Sequence, residues 1–284
     1  SSLPPRGEAE GHPVEKDRKE GGSTRTPRFR ADTALAHLCL THPCPTRTCL
    51  TRKRPALSLP TSLWMRTLVR LLMRYDLHRF FRHVGWVGAW PPALPDQPII
   101  CYANHHHFFD GHLAWLLLRR LHRPSTIWMA EWERFPFFAA VGAQPFPPDD
   151  RARRAATLRR TARWLRDAPS TVLVYFPAGD LRPPETGIAF DPARVHRIAR
   201  LYPEALWWPL ALHVTWRGDA RPTALLRGGS PHRADGQETE RLQGLWHSLC
   251  DEAVTVDHTL LGGRASASDV WDFSFAAPFF ERYL

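Results

Sequence analysis

Lysine is nearly absent from this sequence, and the absence narrows its possible chemistry. The only lysines are Lys16, Lys19 and Lys53, so residues 63–284 contain none. Schiff-base catalysis and a P-loop lysine are therefore excluded for that part of the chain. Arginine supplies nearly all of the positive charge, and the formal net charge of +10 favours an anionic partner such as a phospholipid surface or a phosphorylated substrate. The charge is scattered rather than striped and no nucleic-acid module is recognisable, so nucleic acid is not an expected partner.

Long apolar runs and nucleophile motifs are also missing. The longest apolar run, "ALWWPLALHVTW", is far shorter than the ~20 residues of a transmembrane helix and contains Pro209. We therefore expect no transmembrane helix and no more than a peripheral position on the cytoplasmic face of a membrane. There is no G-x-S-x-G nucleophile elbow. The five cysteines do not form the C-x-x-C knuckles of zinc sites, and the isolated Cys101 and Cys250 fit a reducing compartment.

The composition changes near residue 62. Residues 1–62 contain few large apolar side chains and many Pro, Gly, Arg and Glu residues, which is typical of a disordered leader. Met65 lies at the change, so one interpretation is that translation naturally begins there and that the assigned start is too far upstream. Residues 63–284 are rich in aliphatic residues and tryptophan, and we expect them to form one domain.

Apolar runs and helical patterns alternate along that domain. The sequence predicts buried strands at 98–103, 125–130, 171–176 and 206–216, and helices at 110–121, 151–168 and 192–202. This alternation predicts an α/β fold, a single domain with a central, mostly parallel β-sheet flanked by helices. Functional residues are then expected in the loops at the carboxyl ends of the strands.

The segment 63–84 predicts a basic amphipathic helix. Its apolar residues (Leu68, Leu71, Leu72, Tyr75, Phe80 and Phe81) are interspersed with five arginines. Such a helix suits the surface of an anionic bilayer, although an ordinary helix packed on the domain fits the pattern equally well.

The segment "YANHHHFFDGHLAW" concentrates the titratable groups. A histidine that acts as a general base needs a carboxylate to orient its ring, and His105 and Asp110 lie five residues apart across a predicted strand-to-helix turn. Across such a turn Asp110, near the start of the helix, can fold back onto His105. An alternative is a metal site made of Asp110 with His106, His107 and His112, which would indicate a metal-dependent hydrolase. No H-E-x-x-H motif accompanies these histidines.

This segment resembles the first signature, N-H-x-x-x-x-D, of the glycerolipid acyltransferase (PlsC-like) family. Later segments resemble the other signatures in the same order. Gly142, Phe146 and Arg151 are similar to the second, "FPAGDLR" at 176–182 to the third, F-P-E-G-T-R, and Pro209 in a strand to the fourth. The resemblance covers about residues 65–216.

The resemblance implies transfer of a fatty acyl group from acyl-CoA or acyl-carrier protein to a lysophospholipid hydroxyl, of the 1-acylglycerol 3-phosphate type, in phospholipid biosynthesis (EC 2.3.1.-). It implies no bound cofactor or metal, the thioester being a co-substrate. His105 and Asp110 would be catalytic, without an acyl-enzyme. The residues implied to bind substrate are Asn104, Arg151, Pro177, Gly179 and Arg182.

The third motif departs from the family. Ala178 replaces its glutamate, Asp180 replaces its threonine, and Arg182 comes one residue late. Glu131 or Glu133 stands where the family often has a basic residue. Two alternatives follow: an acceptor that is a non-phosphorylated lipid or glycolipid alcohol, or a catalytically inactive, membrane-associated member of the fold.

Overall fold

An eight-stranded sheet forms the centre of the described part of the chain. The computed structural model describes residues 63–91, 93–251, 253–265 and 274–280, so the predicted leader and its cysteines lie outside the described residues. The strands are β1 (His83–Trp86), β2 (Ile99–Ala103), β3 (Ser125–Met129), β4 (Ala143–Pro145), β5 (Val172–Tyr175), β6 (Leu206–Thr215), β7 (Thr223–Gly228) and β8 (His258–Gly262). The helices are α1 (Leu63–Phe80), α2 (Asp110–Arg120), α3 (Arg151–Asp167), α4 (Pro192–Leu201), α5 (Glu238–Leu249) and α6 (Ala277–Phe280). Short 3-10 helices occupy Pro136–Val141, Pro184–Thr186 and Ser274–Ala276.

The sheet is mostly parallel, which confirms the predicted fold class. Its strand order is β4-β3-β5-β2-β6-β7-β1-β8. The β6–β7 and β1–β8 pairings are antiparallel, and the other five are parallel. The adjacent strands β2, β5 and β6 run in the same direction, so the segments after β2 and after β5 begin at the same edge of the sheet.

Helices cover both faces of the sheet. One apolar cluster joins α1 and α2 to the sheet through residues such as Met73, Leu77, Leu113 and Leu117. A second cluster joins α3, α4 and α5 to the opposite face through residues such as Leu165, Ile198, Leu242 and Trp246. Central strands buried on both faces explain the near-continuous apolar runs in the sequence, because no position on such a strand faces water. All five residues of β2 are buried.

The helix predicted over 63–84 is too long, and this is a correction. Helix α1 ends at Phe80, and His83–Trp86 form strand β1 between β7 and β8. The buried stripe of α1 is Val69, Met73 and Leu77. Phe81, one of the apolar residues of the predicted amphipathic helix, lies beyond α1 and is fully buried. The four-residue segment HVGW is too short to show a regular alternation of apolar and polar residues. It becomes a strand because long-range pairing with β7 and β8 satisfies its backbone, which local sequence does not encode.

Candidate active site

His105 and Asp110 are in contact after the end of β2. His105 Nδ1 lies 3.1 Å from Asp110 Oδ2. The side chain of Asp110 is 1 % exposed and that of His105 is 23 % exposed, so the carboxylate is sealed while the ring reaches solvent. With Nδ1–H donating to the carboxylate, the ring leaves Nε2 as a proton acceptor.

Backbone groups hold the carboxylate in this position. Asp110 Oδ2 accepts hydrogen bonds from the backbone N–H groups of His106 and His107, both at 2.8 Å. Asp110 is the first residue of α2, and Phe109 precedes it as the capping residue without a side-chain cap. The carboxylate thus folds back over the turn instead of capping its own helix. Three donors therefore converge on one buried oxygen.

The segment that follows β5, the neighbour of β2 in the sheet, supports the ring of His105 from one side. Phe176, the first residue after β5, stacks on the imidazole with a centroid separation of 4.4 Å and an interplanar angle of 18°. The backbone N–H of Arg182 donates to the carbonyl of His105 at 2.9 Å. The loop after β5 therefore contacts both the side chain and the backbone of His105.

Asn104 fixes the end of β2 to β6. Its Nδ2 donates to the Leu212 carbonyl at 2.8 Å, and its Oδ1 accepts from the Leu212 N–H at 2.9 Å. The amide therefore extends the backbone ladder beyond the Ala103–Leu210 pair. Asn104 is 1 % exposed, so both bonds are shielded from water at the start of the turn.

A small pocket opens beside the pair. The cavity has a volume of about 10 Å³ and is lined by Asn104, His105, His106, Ala178, Arg182 and residues 187–190. This is room for about one water-sized group. The guanidinium of Arg182 makes no hydrogen bond or ion pair within the described ranges, so it is available to an anion at the pocket.

The other residues implied to bind substrate occupy different positions. Pro177 is buried, and Gly179 is exposed with φ of +81° in a turn where its N–H donates to the Phe176 carbonyl at 3.0 Å. Arg151 is the exposed first residue of α3 and is not among the residues that line the pocket. The structure thus brings Asn104, His105 and Arg182 together, and leaves Arg151 outside the group.

Sequence reasoning did not identify residues 187–190, which form one wall of the pocket. Gly187, Ile188, Ala189 and Phe190 follow the 3-10 helix at Pro184–Thr186 and approach His105 and His106 only in the folded chain. Gly187 has φ of +67°, a conformation that glycine tolerates best, and glycine after a proline-rich turn is the one local signal of this bend.

The side chains of the neighbouring histidines, His106 and His107, contact aromatic rings instead of the Asp110 carboxylate. The ring of His106 meets Trp246 edge-on at 5.2 Å, and that of His107 stacks on Phe109 at 5.6 Å. Burial lowers the pKa of both histidines, with the Asp110 charge opposing that shift. Within the described ranges, they do not bring three ligand atoms together with Asp110, so the alternative metal site at this segment lacks the required geometry.

A different group does bring three ligand atoms together. Donor atoms of His232, Asp235 and Glu238 lie within 4.8 Å of one another. Both Asp235 oxygens are held by Arg241 at 2.5 Å, and Glu238 Oε1 accepts the Asp235 backbone N–H at 2.9 Å. The Arg241 guanidinium also lowers the pKa of Asp235. The carboxylates are already satisfied at the start of α5, so we assign no metal to them.

Comparisons with known proteins find similarity among solved structures. No family model matches the sequence, and no curated protein matches it. Among solved structures, the chain is similar to the 1-acyl-sn-glycerophosphate (LPA) acyltransferase PlsC from Thermotoga maritima. The two chains are 13 % identical, the match covers 65 % of this chain and 79 % of that chain, and the TM-score is 0.44. At this level of similarity the match assigns no function to this chain.

Proposed function

We propose that this chain is a lipid acyltransferase that moves a fatty acyl group from a thioester donor, acyl-CoA or acyl-carrier protein, to a lysophospholipid hydroxyl. The observation that carries the proposal is the contact between His105 Nδ1 and the buried Asp110 carboxylate at the carboxyl end of β2. An acceptor of the 1-acylglycerol 3-phosphate type fits the arginine at the same pocket.

His105 would act as the general base. Its Nε2 takes the proton of the acceptor hydroxyl while the oxygen attacks the thioester carbonyl. The resulting tetrahedral intermediate collapses, the C–S bond breaks, and the imidazolium returns its proton to the leaving thiolate. The Asp110 carboxylate stabilises the imidazolium between these two steps.

The cysteines in the described ranges fit direct transfer without an acyl-enzyme. Cys101 is fully buried in β2, and burial raises the pKa of its thiol well above the usual range. Cys250 lies at the end of α5 beside His213, at 3.9 Å, and does not line the pocket. A thiol nucleophile must be accessible and must lie at the pocket. Cys101 does not meet the first requirement, and the exposed Cys250 does not meet the second.

A second candidate acceptor is a non-phosphorylated lipid alcohol. Arg182 is the one basic side chain other than histidine that lines the pocket, and Ala178 contributes no polar group. Phosphate sites in proteins commonly combine several charge-assisted donors, so a single guanidinium also suits an uncharged headgroup.

We also propose a peripheral position on an anionic membrane through α1. Leu68, Leu71, Leu72 and Tyr75 are 43–60 % exposed on this helix, and Arg74 and Arg79 are exposed beside them. An apolar stripe with flanking arginines matches the interface of an anionic bilayer, which on the cytoplasmic side would also supply the lipid substrate. None of the described helices combines the length and hydrophobicity needed to span a membrane.

The test is a transfer assay with the purified chain. Labelled acyl-CoA and acyl-carrier protein are each offered with lysophospholipids and with non-phosphorylated lipid alcohols. We expect transfer to at least one acceptor and a loss of about 10³-fold or more in kcat for His105→Ala. His196→Ala, at an exposed position on α4, is the matched control and should retain activity. Absence of transfer to every acceptor, or full activity of His105→Ala, would contradict the proposal.

A further inference from the structure

A second cavity lies on the α1–α2 face of the sheet, beside the turn between β2 and α2. It has a volume of about 60 Å³, room for about four to six water-sized groups. Its wall is largely apolar, with Met73, Trp115, Ile127, Phe138 and Val174 among the lining side chains. Gly111 and His112, which directly follow Asp110, also line it, so the cavity and the catalytic pair share the first turn of α2.

His112 is the one titratable side chain in this wall. It is 7 % exposed and lies among aromatic rings, with Phe109 at 5.3 Å and Phe138 at 5.4 Å. Throughout the described ranges its ring nitrogens have no hydrogen-bond partner, although each could form one. Burial lowers the pKa of His112 to about 4, so the ring is neutral near pH 7, with one N–H donor and one acceptor nitrogen.

A neutral imidazole with a free N–H donor and a free acceptor nitrogen favours ligands that can hydrogen-bond to it. A hydroxyl group donates and accepts, and can satisfy either nitrogen. The charged end of a fatty acid stays outside the cavity, because no cationic side chain lines it. A plain methylene chain that displaces water from the cavity leaves the His112 nitrogens without a partner, which disfavours the complex.

We propose that His112 recognises a hydroxyl group on an alkyl chain bound in this cavity, and so makes the enzyme selective for a hydroxylated chain. The inference rests on the proposed function for the chain's connection to acyl transfer, but the binding site itself can be tested without it. The hydroxylated chain can belong to the acyl donor or to the lipid acceptor, because both carry alkyl chains.

Direct binding tests the recognition. Decanoic acid and its 2-, 3- and 10-hydroxy derivatives are titrated into the full chain by calorimetry, without donor or acceptor. We expect at least one hydroxy acid to bind about 5–10-fold more tightly than decanoic acid, the value of one hydrogen bond in a buried site. His112→Phe should abolish this preference, and His112→Gln, which keeps a donor and an acceptor, should retain part of it. His196→Phe, the same change at an exposed histidine of α4 outside the cavity, should retain it fully.

Equal binding of all four acids, no binding of any, or a preference that persists in His112→Phe would overturn the inference. Wild-type titration followed by the ¹⁵N resonances of the His112 ring gives a second readout that needs no variant. The hydroxy acid should shift these resonances, and decanoic acid should leave them nearly unchanged.

Transfer assays then assign the source of the chain. 3-Hydroxydecanoyl-CoA and decanoyl-CoA are compared as donors, and lysophospholipids with hydroxylated and plain chains as acceptors. The substrate whose kcat/KM falls in His112→Phe is the one that fills the cavity. A His112-dependent binding preference without transfer to any acceptor would contradict the proposed function and leave the hydroxyl site standing.

Discussion

At the scale of single residues, one carboxylate oxygen organises the turn between β2 and α2. Asp110 Oδ2 is shared by the His105 ring and two backbone N–H groups, and the oxygen is inaccessible to water. Removing only the charge of Asp110 should therefore have a different effect on structure from removing its whole side chain. An asparagine at this position can still accept all three hydrogen bonds through its amide oxygen, but it cannot stabilise an imidazolium.

For Asp110→Asn we expect kcat to fall by about 10²–10⁴-fold, because the charged form of His105 loses its counter-charge in a buried site. The melting temperature should change little, because the backbone donors of residues 106 and 107 stay satisfied. Steady-state kinetics with thermal unfolding distinguishes the two effects. The matched control is Asp96→Asn, at an exposed position, and unchanged kcat in Asp110→Asn would contradict the assigned role.

The sequence predicts this contact because it is local. Five residues across a strand-to-helix turn leave few conformations, so spacing alone indicates that Asp110 reaches His105. The bridge from Asn104 to Leu212 spans 108 residues, and the wall at 187–190 reaches the site only when β2 and β5 pair. Such contacts depend on strand order and register, which residue types near the motif do not specify.

At the scale of elements, long periodic or buried segments are predictable and short ones are not. The predicted strands at 98–103, 125–130, 171–176 and 206–216 are present as β2, β3, β5 and β6, within two residues at either end. The sequence gives no comparable signal for β1 or β4, with four and three residues, because pairing partners determine their state. Gly142, which is similar to the glycine of the second signature, has a steric role between β3 and β4.

Gly142→Ala tests that role. Gly142 has φ of +101°, and a Cβ there would lie 2.1 Å from the Ser125 carbonyl oxygen, a backbone atom. The β3–β4 pairing must therefore shift, and we expect the free energy of unfolding in urea to fall by about 2–4 kcal/mol. Gly244→Ala is the control, because that glycine lies within α5 with no atom near its Cβ position. It should stabilise the protein by about 0.5–1 kcal/mol, and equal effects of the two changes would contradict the steric account.

At the scale of the whole described domain, the two faces of the sheet carry different surfaces. The α1–α2 face presents the exposed apolar stripe of α1 and encloses the cavity lined by His112. The opposite face, covered by α3, α4 and α5, presents many arginines, with Arg159, Arg160, Arg163, Arg197 and Arg200 exposed. If α1 lies on a membrane, the cavity faces the lipid side of the molecule.

Vesicle binding tests this orientation. Replacing Leu71 and Leu72 together with serine should weaken binding to anionic vesicles by at least about tenfold, because each leucine side chain loses apolar burial in the bilayer interface. Leu201→Ser, at an exposed leucine of α4 on the other face, should have little effect. Binding is measured by co-sedimentation, and increasing salt should weaken it for the wild-type chain. Equal losses for the two variants would contradict a membrane-bound α1.

The hydrogen bond from the Arg182 N–H to the His105 carbonyl joins the backbones of two residues that line the same pocket. If an anion that binds the Arg182 side chain also shifts its backbone, the peptide unit that anchors the histidine backbone moves with it. Headgroup binding and ring position are then two coupled equilibria, and each must bias the other by the same free energy. An acceptor without a headgroup charge would not use this coupling. Charged and uncharged acceptors would then differ in kcat as well as in KM.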